Sequence, residues 1–226
     1  MSDDYYADLG KISLSDFKAE LESGELLPSR KMLGEDIDNR FKCMRNHGMK
    51  NLDDLLAVLK TTDKIKKFSR ETGLPEEYLT ILRREIMSSQ PKPVNLRDFP
   101  GISKVTVGKL EKQNIKNTKQ LYQYIKTDVA RRNLQNDLNI PHNEVLELAK
   151  LTDVVRIKWV GANFARLLVD SCCDTVEKVS KADYKELYDA VVCINDEKKY
   201  FRGKFGLHDM KLAVIAAKKV PNTIEY

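Results

Sequence analysis

The residues of this chain best suited to chemistry form a tight turn, Phe99-Pro100-Gly101-Ile102-Ser103-Lys104. Apolar positions at Val107, Leu110, Ile115 and Leu121 follow it at the spacing of two short amphipathic helices. The chemistry is anion binding. A turn that opens a helix leaves backbone N–H groups unpaired at the positive end of the helix dipole, and both features favour a phosphate. The flanking charge agrees: residues 99–126 carry Lys104, Lys109, Lys112, Lys116, Lys119 and Lys126 against Glu111 alone, a net of +5. Such a window is the electrostatic footprint of a protein that meets a polyanionic backbone.

Other chemistries find no constellation. His47, His142 and His208 lie far apart and share no Cys or carboxylate partner, so loop and capping roles are expected for them. Asp53-Asp54 and Asp196-Glu197 are adjacent pairs; on a helix adjacent side chains diverge by about 100°, so neither makes a two-carboxylate metal site. Cys43, Cys172, Cys173 and Cys193 lack metal-ligand spacing, and no phosphate loop of the nucleotide-triphosphatase type is present. The expectation is a non-enzyme without cofactor or metal. Cys172 and Cys173 are expected to be buried and reduced. That expectation points to the cytoplasm, as does the acidic start Ser2-Asp3-Asp4, which is unlike a signal peptide. No stretch approaches the roughly 20 apolar residues of a membrane span.

Helix signals position these residues plainly. Ser13 with Asp16 three residues on starts a helix carrying Leu14, Phe17 and Leu21, and Gly24 ends it. Helices are expected over Asp53 to Leu59, Asp63 to Thr72 and Glu76 to Met87, with Pro75 and Pro141 as early helical residues. No alternating strand pattern competes. Ser88-Ser89-Gln90-Pro91-Lys92-Pro93 is the linker, giving an N-terminal domain over 1–90 and a second over 91–226. An ungapped 66-residue shift pairs Lys50-Asn51 with Lys116-Asn117 and Leu55 with Leu121. It also pairs Thr61 with Thr127, Pro75 with Pro141 and Leu82 with Leu148. Moving 58 residues on, Lys158-Trp159-Val160-Gly161 is followed by Ala165, Leu168, Cys172, Cys173 and Thr175 at matching offsets. Self-similarity at a fixed period indicates a repeated helical unit.

The turn and its spacing resemble the helix-hairpin-helix family, with its Pro-Gly-Ile-Gly turn, small residue, Leu, Gly-Ile and Thr. That resemblance implies an all-α fold of tandem helix-hairpin-helix repeats, as SAM-domain-like helical bundle units. It also implies that the backbone amides of Gly101, Ile102, Ser103 and Lys104 hold a phosphate without reading base sequence. Lys109 and Lys112 then add longer-range charge, and Gly161 and Arg166 contribute from the third copy. From Leu151 to Val220 the chain further resembles a bacterial family built on this motif and known mainly as a domain of unknown function. The resemblance rests on Leu151-Thr152-Asp153-Val154-Val155-Arg156-Ile157-Lys158-Trp159-Val160-Gly161 and on Val192-Cys193-Ile194-Asn195-Asp196-Glu197-Lys198-Lys199. It implies a fold and no settled activity. One departure is Trp159, which stands where a glycine is usual and opposes close phosphate approach.

Charge separates the three copies. The window 151–180 holds four bases and four acids, so ion pairing of Arg156, Lys158 and Arg166 with Asp153 and Asp170 competes there with phosphate contact. In the N-terminal copy Glu35, Asp36 and Asp38 occupy the turn and would repel a phosphate, so that copy is read as structural. Phe41, Phe68, Phe99, Tyr122 and Phe164 fall at core positions, and Trp159 is expected to fold back over a neighbouring repeat. The function expected is therefore non-sequence-specific nucleic-acid binding, DNA ahead of RNA, through the phosphate backbone at the central hairpin. The alternative is an adaptor that binds another protein on the same surface, since fold does not fix function.

Overall fold

The computed structural model describes residues 4–24 and 26–226, so Ser2 and Asp3 of the acidic start lie outside the described residues. Among the described residues the chain is all-α, without a strand. Its helices are α1 (Leu14–Ser23), α2 (Ile37–Asn46), α3 (Leu52–Leu59), α4 (Thr62–Thr72), α5 (Glu76–Ser88), α6 (Lys104–Lys112) and α7 (Thr118–Tyr122). They continue with α8 (Asp128–Leu138), α9 (His142–Val154), α10 (Ala162–Asp170), α11 (Val176–Lys181), α12 (Tyr184–Lys198) and α13 (Leu207–Ala217). None is long and apolar enough to cross a membrane.

Local capping chemistry sets these limits, and it recurs at the 66-residue shift. The side chain of Ser13 accepts from the Asp16 amide at the head of α1. Asn51 and Asn117 accept from Asp54 and Gln120 to start α3 and α7. Thr61 and Thr127 do the same for α4 and α8. At the shift of 58, Thr175 caps α11 through the Lys178 amide. Each such cap contributes about 1 kcal/mol to its helix. Left-handed backbone recurs too: Gly48, Asn114 and Cys172 share one repeat position and all have positive φ, as do Gly73 and Asn139 at another. Pro75 and Pro141 stand one step earlier than expected, as extended N-cap residues whose carbonyls receive the Leu79 and Val145 amides. The missing proline N–H is equally harmless there.

The chain divides into two compact units. Asp8–Ser89 holds α1 to α5 around a core that includes Phe17, Leu33, Phe41, Met44, Leu55, Phe68 and Leu82. The second unit holds α6 to α13 over Gln90–Tyr226, and it also takes residues 4–7, which the sequence places in the first domain. The reason is Tyr5. It is buried in the core of this unit, its hydroxyl is 2.7 Å from that of Thr118, and its ring meets Tyr122 edge-on. Burial pushes the Tyr5 phenol well above the usual tyrosine range.

A buried ion pair organises the second unit. Arg156, 2% exposed, donates through Nη1 to the Asp153 carboxylate at 2.8 Å. Its Nε reaches the Tyr5 carbonyl at 3.0 Å and its Nη2 the Pro221 carbonyl at 2.6 Å. Asp153 in turn receives the Val176 amide at 2.9 Å. Segments far apart in sequence thus converge on one guanidinium. Arg156 is therefore a structural residue: of its two readings, the ion pair with Asp153 is the one the structure holds, and phosphate contact is corrected.

Candidate nucleic-acid interface

The expected turn lies at the head of α6. Gly101 has φ +75°, the left-handed region that favours glycine, and a Cβ placed there would meet nothing within 4 Å. The Ile102 amide closes the turn onto the Phe99 carbonyl at 3.4 Å, so this N–H faces the protein and is withdrawn from the expected set of phosphate donors. Ser103 is the N-cap, its hydroxyl accepting from the Thr106 amide at 3.3 Å. The amides of Gly101, Ser103, Lys104 and Val105 have no hydrogen-bond partner among the described residues. Those of Ser103, Lys104 and Val105 are the orphan donors of a helix start, and the Cβ direction of Gly101 beside them is open.

Arg166 is a second correction. Expected at the third copy as a phosphate contact, it is 4% exposed, with Nη1 donating to Glu147 at 2.7 Å and to Asp170 at 3.3 Å. Its Nε donates to the Pro100 carbonyl at 2.8 Å. The Pro100 carbonyl and the Gly101 N–H belong to one planar trans peptide and point in opposite directions. By holding that carbonyl inward, Arg166 turns the Gly101 N–H outward. It positions the turn and cannot itself reach a ligand.

The lysines divide by duty. Lys109 donates to the Asn139 carbonyl at the end of α8, where a cation also opposes the negative end of the helix dipole. Lys126 pairs with Asp4, and Lys119 lies 4.8 Å over the Tyr6 ring. Lys109, expected to add longer-range charge to the phosphate site, is thus tied to the fold. Lys104, Lys112 and Lys116 are exposed, Lys104 opening α6 at the turn, Lys112 closing that helix and Lys116 in the connection to α7. Glu111, the one acid of the window, is neutralised by Arg97, whose hydrogen bonds hold its carboxyl below the usual range. The N-terminal turn differs as expected: Asp36 sits there with φ +46° bonded to Asn39, and Asp38 pairs with Lys18 at 2.9 Å.

The turn before α10 departs from the sequence reading in two ways. Trp159 is 47% exposed and takes φ +68°, instead of folding back over a neighbour, and the Lys158 ammonium lies 4.4 Å from its ring centroid. Cys172 is exposed rather than buried, because it occupies the left-handed position between α10 and α11. Gly161 is exposed at the N-cap of α10 in extended conformation and offers no side-chain cap. Phe41, Phe68, Phe99 and Tyr122 are buried, while Phe164 is half-buried against Phe201 and Phe205. His47 bridges the Cys43 and Glu71 carbonyls, and His142 contacts Gln135. Among the described residues no group of three or more His, Cys, Asp or Glu side chains is placed to hold a metal ion.

Sequence reading missed a cationic stretch that runs from the last residue of α12 through the loop to α13. Residues 198–206 run Lys-Lys-Tyr-Phe-Arg-Gly-Lys-Phe-Gly, without an acid. Aromatic residues interleaved with bases were its visible signal. It was overlooked because it lies outside the repeat: α8 and α9 are joined by three residues, whereas eight join α12 to α13.

These features define an all-helical protein with an open, cation-flanked turn at the head of α6. A family model described as "Domain of unknown function (DUF4332)" matches residues 100–220. That span is more than half of the chain, and the chain belongs to this family. The match begins at Pro100 of the turn and takes in α6 to α13. Neither curated proteins nor solved structures yield a match.

Proposed function

We propose that this protein binds nucleic acid without sequence specificity, duplex DNA above all, by seating a backbone phosphate on the Pro100–Lys104 turn. The observation that carries this reading is the Gly101 site: left-handed backbone, no atom within 4 Å of a Cβ, and unpaired amides at the start of a nine-residue helix. Such an arrangement suits an anion, and Lys104, Lys112 and Lys116 supply charge for neighbouring phosphates. On the same reading α2/α3, α6/α7 and α10/α11 are tandem helix-hairpin-helix copies in a bacterial cytoplasmic protein. Carboxylates disqualify the first copy as a binding site.

A salt titration of duplex DNA binding tests this. Three lysines neutralising phosphates give a slope of log affinity against log salt of about −3. A protein adaptor is the second reading, favoured by Val105, which is 71% exposed in the first turn of α6. No DNA binding at low salt, or affinity indifferent to salt, decides for the adaptor.

A further inference from the structure

We propose that Trp159 is a stacking platform for an unpaired nucleobase, and that the loop over residues 199–206 holds the adjoining phosphates. This unit would then engage single-stranded nucleic acid on a second surface. The inference deepens the nucleic-acid reading and rests on it.

Trp159 stands one 58-residue step after Gly101, and both have left-handed backbone, φ +68° and +75°. Glycine satisfies that geometry without strain, whereas a bulky side chain there is an outlier. Packing does not compensate, since the indole is 47% exposed. Strain at a residue that contributes little to the core marks a position kept for contact with something else. The Lys158 ammonium, 4.4 Å from the ring centroid, draws on the electron-rich ring and adds a cation beside any bound strand.

The loop is attached to the same end of α10. Phe201 and Phe205 sit edge-on to Phe164, in the first turn of that helix, with centroids 6.0 and 5.8 Å away. Asn195 grips the Phe201 backbone twice, donating to its carbonyl at 3.0 Å and accepting from its amide at 2.9 Å. Between these two anchored rings Arg202 and Lys204 are exposed. Lys198 and Lys199 pair with Glu197 and Asp196, which leaves Arg202 and Lys204 as the loop's cations for a ligand. An aromatic face with cations on a short anchored loop is the combination that holds single strands, by stacking any base and tracking its backbone. Charge selects this occupant over an acid-poor protein surface.

Trp159 is the chain's single tryptophan, so its emission reports on this surface alone. Titrating the full-length protein with short oligothymidylate should quench that emission, at the same concentrations that raise the anisotropy of a labelled copy. Trp159→Ala should weaken oligothymidylate binding about 5- to 150-fold. Trp159→Phe should restore most of the loss, and both variants should bind duplex DNA as before. Arg202→Glu with Lys204→Glu should make the single-strand salt slope shallower by about 1.4. Oligothymidylate binding without quenching, or unchanged by Trp159→Ala, overturns the stacking surface and leaves duplex binding at Gly101 standing. If neither single strand nor duplex binds, both readings fall. Quenching by a wild-type protein needs no variant to fold.

Discussion

Gly101→Glu should weaken duplex DNA binding about a hundredfold or more while leaving the protein folded. The carboxylate would project into the space where a phosphate must sit. Two like charges about 4 Å apart at an effective dielectric of about 20 repel by about 4 kcal/mol, and 1.4 kcal/mol is a factor of ten. Folding survives because a Cβ at Gly101 meets nothing within 4 Å; what remains is the strain of φ +75°, about 1–2 kcal/mol. Gly101→Asn separates the two effects. Asparagine tolerates left-handed backbone and carries no charge, so it should lose less than about a tenth as much affinity. Glu35→Lys, at the corresponding N-terminal turn, should leave affinity within about twofold, since Asp36 and Asp38 stay in place. Anisotropy at low salt on variants of matched thermal stability decides the matter. Wild-type affinity in Gly101→Glu, or equal losses at the two turns, would mean that the phosphate surface lies elsewhere.

Much of the fold was legible because helix ends are local chemistry. Ser13, Asn51, Thr61, Asn117, Thr127 and Thr175 cap through their own side chains within three residues, and the shared register of Leu55 with Leu121 carried the rest. The position of the candidate turn was legible for the same reason, since Pro100-Gly101 announces it. What sequence left hidden was the duty of each cation. Arg156, Arg166 and Lys109 look like surface charges, and pairing of the two arginines with Asp153 and Asp170 was in view. Their other partners were not: Tyr5, Pro221, Pro100 and Asn139 offer backbone carbonyls, which carry no residue signature. Trp159 was hidden by an opposite effect. A large apolar residue is ordinarily buried, and only its φ and exposure reveal that the turn holds it outward.

Asp153→Ala should cost the second unit about 3–5 kcal/mol, because it strands a buried guanidinium without its counter-charge. For a domain of this size that loss lowers the melting midpoint by about 10 °C. Burial pushes the Asp153 carboxyl up, against the pull of Arg156 and the Val176 amide, so the site carries a desolvation penalty that only its partners offset. Hydrogen exchange localises the effect: protection should fall in α7 to α11, while α2 to α5, in the other unit, keep theirs. A drop of under about 1 kcal/mol would show that the pair is dispensable. The double variant Asp153→Leu with Arg156→Met is the sharper measurement. Replacing a whole buried pair with apolar groups is often neutral, so Coulombic pairing alone would predict near-complete recovery. Arg156, however, also satisfies the carbonyls of Tyr5 and Pro221, and methionine leaves both unpaired. Each stranded carbonyl costs about 1–3 kcal/mol, so recovery should stop well short of wild type. The residual deficit then measures how strongly one arginine holds the segments around Tyr5 and Pro221 to the core.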